Sequence, residues 1–396
     1  MNTHRRFLAH RRRTPMWSRA SHQPRRRPEW ASLSDEQILA RHPPGQIDPL
    51  QALELLLRLN NARHTAREKS VSHKTRQERA QFLRRAFDDL HVACGFKTLP
   101  DPRNLAQRHV RALADHWRST HLAPATVQTY FSFLRGLAMW IGKPGLIREP
   151  GYYGLAAEHV QRHGYAEFDH SWSAQAVDID TTLERIGRFD PHVGAMLRLI
   201  RAFGLRRKEA VMLQPHRCVV PFEATGLSPE HRAADTYLWI RAGAKGGRER
   251  FIAVSTRERM EALAQARYVA GSPDAHMGNP AHDLRANLRR FHYVLSKFGV
   301  TAKGLGVTAH GLRHEMLIGH YEALTGVRAP IRGGERPPPE IERRARAAVA
   351  ALAGHARIRV ADAYLGRLAR GPRRGDLDDM YSVQADSQAR TPHEPP

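Results

Sequence analysis

The sequence predicts a mainly α-helical chain of two folded domains with a small β-hairpin, or small sheet, in the second. Three observations predict it. From Pro49 onward apolar residues recur at a spacing of three to four. A stretch rich in Gly, Pro and His breaks that periodicity between 143 and 174, and only two segments carry the β-rich, turn-bounded pattern of strands.

Residues 1–46 lack the periodicity. The first 30 hold nine Arg and one acid, Glu29, and Pro15, Pro24 and Pro28 interrupt any helix. They are expected to form a disordered basic arm for nucleic-acid backbones, with a targeting peptide or a false start as the alternatives. Four helices are expected over 47–142. The first carries Leu53, Leu56 and Leu57, and the second, after the start signal Ser72 to Thr75, carries Phe82, Leu83, Ala86 and Leu90. Leu105, Val110, Leu113 and Trp117 stripe the third, and Val127, Tyr130, Leu134, Leu137 and Trp140 the fourth. Arg63, Arg67, Lys74, Arg76 and Arg79 make this helical domain cationic and are its candidate DNA contacts, although any single Arg reads first as solvated helix surface.

Residues 143–174 are expected to link the domains. The second domain, 175–370, is expected to hold helices at 181–189, 191–203 and 206–213, then a hairpin. In that hairpin Tyr237–Ile240 and Arg250–Val254 flank the two-residue turn signal Gly246-Gly247. Helices at 256–270, 281–298, 310–325, 340–353 and 357–369 follow, and 371–396 is a tail.

A formal charge of +24 spread over 396 residues makes a polyanion the first partner to test. Two cysteines, Cys94 and Cys218, exclude a disulfide scaffold or a cysteine zinc cluster. No apolar run approaches a membrane span, so the expected setting is cytoplasmic. Only eight of the 63 basic residues are Lys, which makes the placement of each Lys informative.

Four segments carry the chemistry: Gly204-Leu-Arg-Arg-Lys-Glu209, Ala244-Lys-Gly-Gly247, His310-Gly-Leu-Arg-His314, and Gly354-His355 followed nine residues later by Tyr364. Planar guanidiniums suit the non-bridging oxygens of a five-coordinate phosphodiester, and Arg206 and Arg313 are the candidates. His310 and Arg313, three apart on a helix, share a face. Glu209, one turn after Arg206, can orient its guanidinium.

In order and context these segments resemble the tyrosine recombinases, the phage-integrase family. The resemblance implies a helical SAM-like core-binding domain and a mixed α+β catalytic domain closing as a C-shaped clamp on DNA. It makes Tyr364 the nucleophile, Lys245 the acid that protonates the leaving 5′-oxygen, His310 the proton acceptor, His355 a donor to the phosphate and His314 a supporting residue. The implied reaction is site-specific transesterification through a 3′-phosphotyrosyl intermediate, by a homotetramer on two DNA sites, with a DNA-bending or directionality partner as an accessory. The implied setting is a bacterial nucleoid. No cofactor is expected, because one phosphodiester replaces another. No catalytic metal is expected either, since His314 and His320 stand six apart and off a shared helix face. The rivals are a DNA-binding protein that has lost the chemistry and a type IB topoisomerase or telomere resolvase.

Two departures stand out. His355 follows Arg313 by 42 positions, a longer interval than the family's, and the excess includes the Gly/Pro-rich 327–339, expected to loop out at the surface. Glu315 stands where the family more often has a small hydroxyl residue.

Overall fold

The computed structural model describes residues 28–64, 70–162 and 164–367, without the side chains of Pro28 and Lys245. The chain divides after Arg162 into two compact units.

Among the described residues the first unit has α1 (Asp35–Arg41), α2 (Pro49–Asn60), α3 (His73–Val92), α4 (Gln107–Ser119), α5 (Pro124–Trp140) and a short α6 (Ala157–Val160). Polar caps start two of the long helices: Asp48 accepts from the Leu50 and Gln51 amides, and Ser72 from that of Thr75. Their apolar stripes then meet in one core around Leu53, Leu83, Leu113, Trp117 and Phe131.

Two expectations need correction here. Residues 28–46 are not a disordered arm. Trp30, Ile38 and Ile47 bury against Ala52 and Leu55 of α2, and Ser34 with Gln37 forms a reciprocal capping box at α1. The rest of the expected arm, 1–27, lies outside the described residues. Nor is 143–174 a free linker. Ile147, Tyr153 and Leu155 join the first core, while Trp172 joins the second and donates its indole N–H to the Thr308 carbonyl at 2.8 Å. Buried aromatic side chains anchor these irregular segments where periodicity gives no signal.

The second unit begins with α7 (Ile179–Phe189), α8 (Pro191–Phe203) and α9 (Arg207–Met212). An antiparallel sheet follows in the order β1 (Val219–Pro221), β2 (Thr236–Ile240), β3 (Arg250–Ala253), with Val219 opposite Leu238 and Leu238 opposite Ile252. Then come α10 (Arg257–Ala270), α11 (Leu284–Lys297), α12 (Ala309–Thr325), α13 (Pro339–Leu352) and α14 (Asp362–Leu365). Helix α8 is the spine of the core, burying Met196, Leu197, Leu199, Ile200 and Phe203.

The two hairpin strands form where expected, but the turn and the register that a two-residue turn at Gly246-Gly247 would set do not. Pairing stops at Ile240 opposite Arg250, so Arg241–Glu249 form a wide loop in which Gly243, Gly246 and Gly247 take positive φ. β1 was not expected; three residues are too few to show alternation. The last helix is shorter than 357–369. A 3-10 turn, Ile358–Ala361, leads into α14, which closes at Gly366 with φ of 71°. Leu368, expected on its apolar stripe, lies outside the described residues, as does the tail.

Candidate active site

The site is assembled from four helix ends of the second unit. Helix α8 ends at Gly204 in the left-handed conformation, where a Cβ would sit 2.5 Å from the Met316 methyl; the turn leaves the Gly204 carbonyl facing Arg313. Arg206 caps α9 and binds Glu209 through its amide at 2.8 Å and its Nη1 at 2.7 Å. Just past α13, Gly354 is also left-handed, and a Cβ there would meet Arg250 Nη1 at 3.1 Å and Arg206 Nη1 at 3.5 Å. That turn directs His355 back, and its Nε2 lies 3.1 Å from Arg206 Nη2.

Arg313, on α12, is fully buried and donates to the Gly204 carbonyl and, at 2.6 Å, to the Ala353 carbonyl. Arg206 Nη2 donates to that same Ala353 oxygen at 2.8 Å. Two guanidiniums from different helices therefore converge on one oxygen. Arg313 Nε and Nη2 also donate to the Tyr364 hydroxyl at 3.2 and 3.1 Å, so the phenol oxygen accepts and keeps its own proton available. Tyr364 is 6% exposed; its ring packs against His314, with centroids 4.9 Å apart.

His310 keeps one side to solvent while its other side is backed by protein. Lost hydration first, then the Arg313 and Arg206 charges, push its pKa down to about 4. The ring is neutral near pH 7 and can accept a proton. His314 is buried between the His310 and His170 rings, and burial, with those neighbours, pushes it down to about 3.

Glu209 is buried. Burial alone would raise its carboxyl, but the Arg250 hydrogen bonds and charge, with Arg206 behind them, hold it at about 2. Arg250 is the residue missed from sequence. It donates to both Glu209 oxygens at 3.1 and 2.8 Å from the first position of β3. An Arg at a strand start next to an exposed loop carries no signal of burial. Two guanidiniums, those of Arg206 and Arg250, bind this one carboxylate, and with Arg313 beside them the site keeps an excess of positive charge suited to an anion. Lys245 opens the 3-10 turn Lys245–Gly247 in the loop between β2 and β3, so its backbone lies five residues before Arg250. Among the described residues no three His, Cys, Asp or Glu side chains converge as a metal set would.

Of the candidate DNA contacts in the first unit, Arg63, Lys74 and Arg76 are exposed and Arg67 lies outside the described residues. Arg79 is a correction. It is 4% exposed, binds the Asn61 side chain and carbonyl at 2.7 Å each, and stacks over Trp140 at 4.8 Å. It holds α3 against the end of α2 and faces no partner.

Two family models match the chain: "Phage integrase, N-terminal" over residues 57–147 and "Integrase" over 172–318. The chain belongs to the tyrosine recombinase, or phage integrase, family. Arg206, Lys245, His310 and Arg313 fall inside the matched integrase segment; His355 and Tyr364 lie beyond it. No curated protein matches the chain. Among solved structures, a lambda integrase (75–356) dimer bound to a COC′ core site is 13% identical, with 82% of this chain and 98% of that chain covered and a TM-score of 0.50. The Tn1549 transposon integrase in complex with transposon right-end DNA is 12% identical over 86% of this chain and 100% of that one, with a TM-score of 0.48. A lambda integrase tetramer bound to a Holliday junction is 13% identical over 83% and 80%, with a TM-score of 0.48. At 13% identity and a TM-score of 0.50, the match to the lambda integrase dimer is a likeness of fold alone.

The segment 327–339 of this tyrosine recombinase is a surface loop only in part: Gly333, Glu335, Arg336, Pro338 and Pro339 are exposed, but the turn at Ala329–Arg332 tucks in. Ala329 is fully buried, and Arg332 pairs with Asp169 at 2.8 Å and Glu322 at 3.0 Å. These two acids, with Glu315 at 3.4 Å, face one Arg and draw the turn inward.

Proposed function

We propose that this integrase-family protein is a site-specific DNA strand transferase. The observation that carries the reading is the convergence of Arg206 and Arg313 on one oxygen with the Tyr364 hydroxyl 3.1 Å from Arg313. A phosphodiester drawn to the two guanidiniums would lie beside the phenol. Tyr364 Oη attacks phosphorus, the bond to the 5′-oxygen breaks, and Tyr364 is left joined to the 3′-phosphate. The phenol proton passes to neutral His310, and Lys245 protonates the departing 5′-oxygen. Attack by a 5′-hydroxyl reverses these steps, so bond count is conserved and no energy source is consumed. His355 supports a non-bridging oxygen; Glu209 positions Arg206, and His314 walls the Tyr364 ring. Arg63, Lys74 and Arg76 hold phosphates outside the site. The partners proposed are duplex DNA carrying specific sites and three further copies of this chain.

The test is a duplex nicked so that cleavage releases a short, diffusible strand. Wild type should form a covalent protein–DNA adduct that survives denaturant, and Tyr364→Phe should form none while binding the same duplex as tightly. An adduct in Tyr364→Phe would move the nucleophile elsewhere. Tight binding without an adduct in wild type would favour a DNA-binding protein that has lost the chemistry.

A further inference from the structure

We propose that the segment 327–339 is a brace for the nucleophile, with Ile331 and Arg332 as positioning residues that hold Tyr364 over Arg313. Its functional meaning rests on the strand-transfer reading; its geometry does not. The segment makes one 3-10 turn, Pro330–Arg332, and each side of that turn is tied to a different part of the site.

On one side is the nucleophile helix. Gly366 ends α14 two residues after Tyr364, and a Cβ there would meet the Cα, Cβ and Cδ1 of Ile331, all at 3.3 Å. Ile331 thus lies directly against the backbone that terminates α14, in the cluster that buries Tyr364 and Leu365. Arg346 of α13 holds α14 from elsewhere, binding Asp362 at 2.8 Å and the Gly366 carbonyl at 3.3 Å. The Asp362 carbonyl accepts from the Ala166 amide at 2.8 Å. A helix of one turn has little stability of its own and takes its position from these neighbours.

On the other side is α12, which carries Arg313. Glu322 accepts from the Ala329 amide and from Arg332 Nη1, both at 3.0 Å. Arg332 Nη2 reaches Glu315 at 3.4 Å, together with the Ser171 and Ser173 hydroxyls at 3.1 and 3.2 Å. Glu315 in turn accepts from the Ser173 amide at 2.9 Å and its hydroxyl at 2.7 Å. Between Asp169 and Ser171 stands His170, whose ring meets His314. The two departures from the family pattern, Glu315 and the inserted segment, therefore touch through Arg332. A small hydroxyl at 315 could not reach that guanidinium, and an Arg332 without its acids would not be drawn in. The turn carries the position of α12 to the end of α14, which fixes the phenol relative to the guanidinium that must share its phosphate.

The test uses the full chain and four substitutions. Arg332→Ala leaves Asp169, Glu315 and Glu322 facing one another and risks unfolding, so Ile331→Ala and Glu315→Ser accompany it. In Ile331→Ala duplex affinity should stay near wild type, and the urea midpoint should fall only by what the loss of one half-buried side chain requires, leaving the protein folded without urea. The single-turnover rate of adduct formation at saturating protein should fall by about 10²-fold, the scale expected for a nucleophile misplaced by about 1 Å. Amide exchange over 362–366 should quicken, and Ile331→Val should restore both. Glu315→Ser should show the same pattern more weakly. An unchanged rate and unchanged exchange in Ile331→Ala, with an active wild type, would overturn the brace alone. Quickened exchange in a protein whose wild type forms no adduct would overturn the strand-transfer reading and with it the positioning role.

Discussion

His314 shows how a single side chain ties chemistry to stability. Its ring is buried beside His310, His170 and Tyr364, its Nδ1 has no hydrogen-bond partner among the described residues, and its pKa is pushed down to about 3. Above the unfolded value of about 6.5 neither state binds a proton there and the folded form loses nothing. As pH falls from there toward 3, the unfolded chain takes a proton that the folded one refuses, so stability declines. Between pH 7 and pH 5 one such group removes about 2 kcal/mol. His314→Phe keeps a ring in place and deletes the titration. Its urea-derived stability should therefore fall by about 2 kcal/mol less than wild type over the same interval. Equal losses in the two proteins would mean that His314 is hydrated or paired in solution. The His310 pKa is lowered in the same direction, but a bound phosphate would draw it upward again by attracting the protonated form.

At the scale of elements, what was legible was periodicity and capping. The helices α2 to α5 and α7 to α13 begin and end close to where apolar spacing and the start signal Ser72 place them. The motif residues Arg206, His310, Arg313, His355 and Tyr364 converge because each sits at a helix end or on one helix face, which spacing can report. What was not legible depends on distant partners. Arg250 and Arg79 read as surface charges until Glu209 and Asn61 are brought to them, and Trp30 and Ile38 read as part of a basic arm until α2 offers a face. The crossing of α7 and α8 gives a sign-sensitive check of this packing. A Cβ on Gly194 would lie 2.4 Å from the Gly187 Cα, whereas one on Gly187 would meet only the Gly194 Cα, at 3.9 Å. Gly194→Ala should force the helices apart at a cost of about 1–3 kcal/mol. Gly187→Ala should be neutral or stabilise by up to about 1 kcal/mol through helix propensity. Chemical denaturation of the two variants distinguishes these outcomes, and equal effects would argue against so close a crossing.

For the whole molecule the dominant quantity is charge, +24 over 396 residues, and the structure separates the part that can meet DNA from the part that cannot. Arg79, Arg84, Arg103, Arg250, Arg313 and Arg332 are engaged with internal carboxylates, carbonyls or side-chain amides. Arg63, Lys74 and Arg76 stand in solvent, Lys74 beside an exposed Glu78 at 3.4 Å. A surface pair of that kind is worth little and is readily exchanged for a phosphate. If the folded chain neutralises about eight phosphates, the logarithm of its affinity should fall with the logarithm of salt at a slope of about −7. Arg76→Gln should reduce that slope by about 1 and weaken binding to all sequences alike. Arg79→Met should leave the slope unchanged and cost about 1–3 kcal/mol of stability instead, because it strips partners from Asn61 and from two carbonyls beneath Trp140. Measuring slope and urea midpoint on both variants tests the division directly. A slope that changes in Arg79→Met with the midpoint held would return Arg79 to the DNA-facing surface, and a slope near zero in wild type would mean that the positive charge serves something other than duplex DNA.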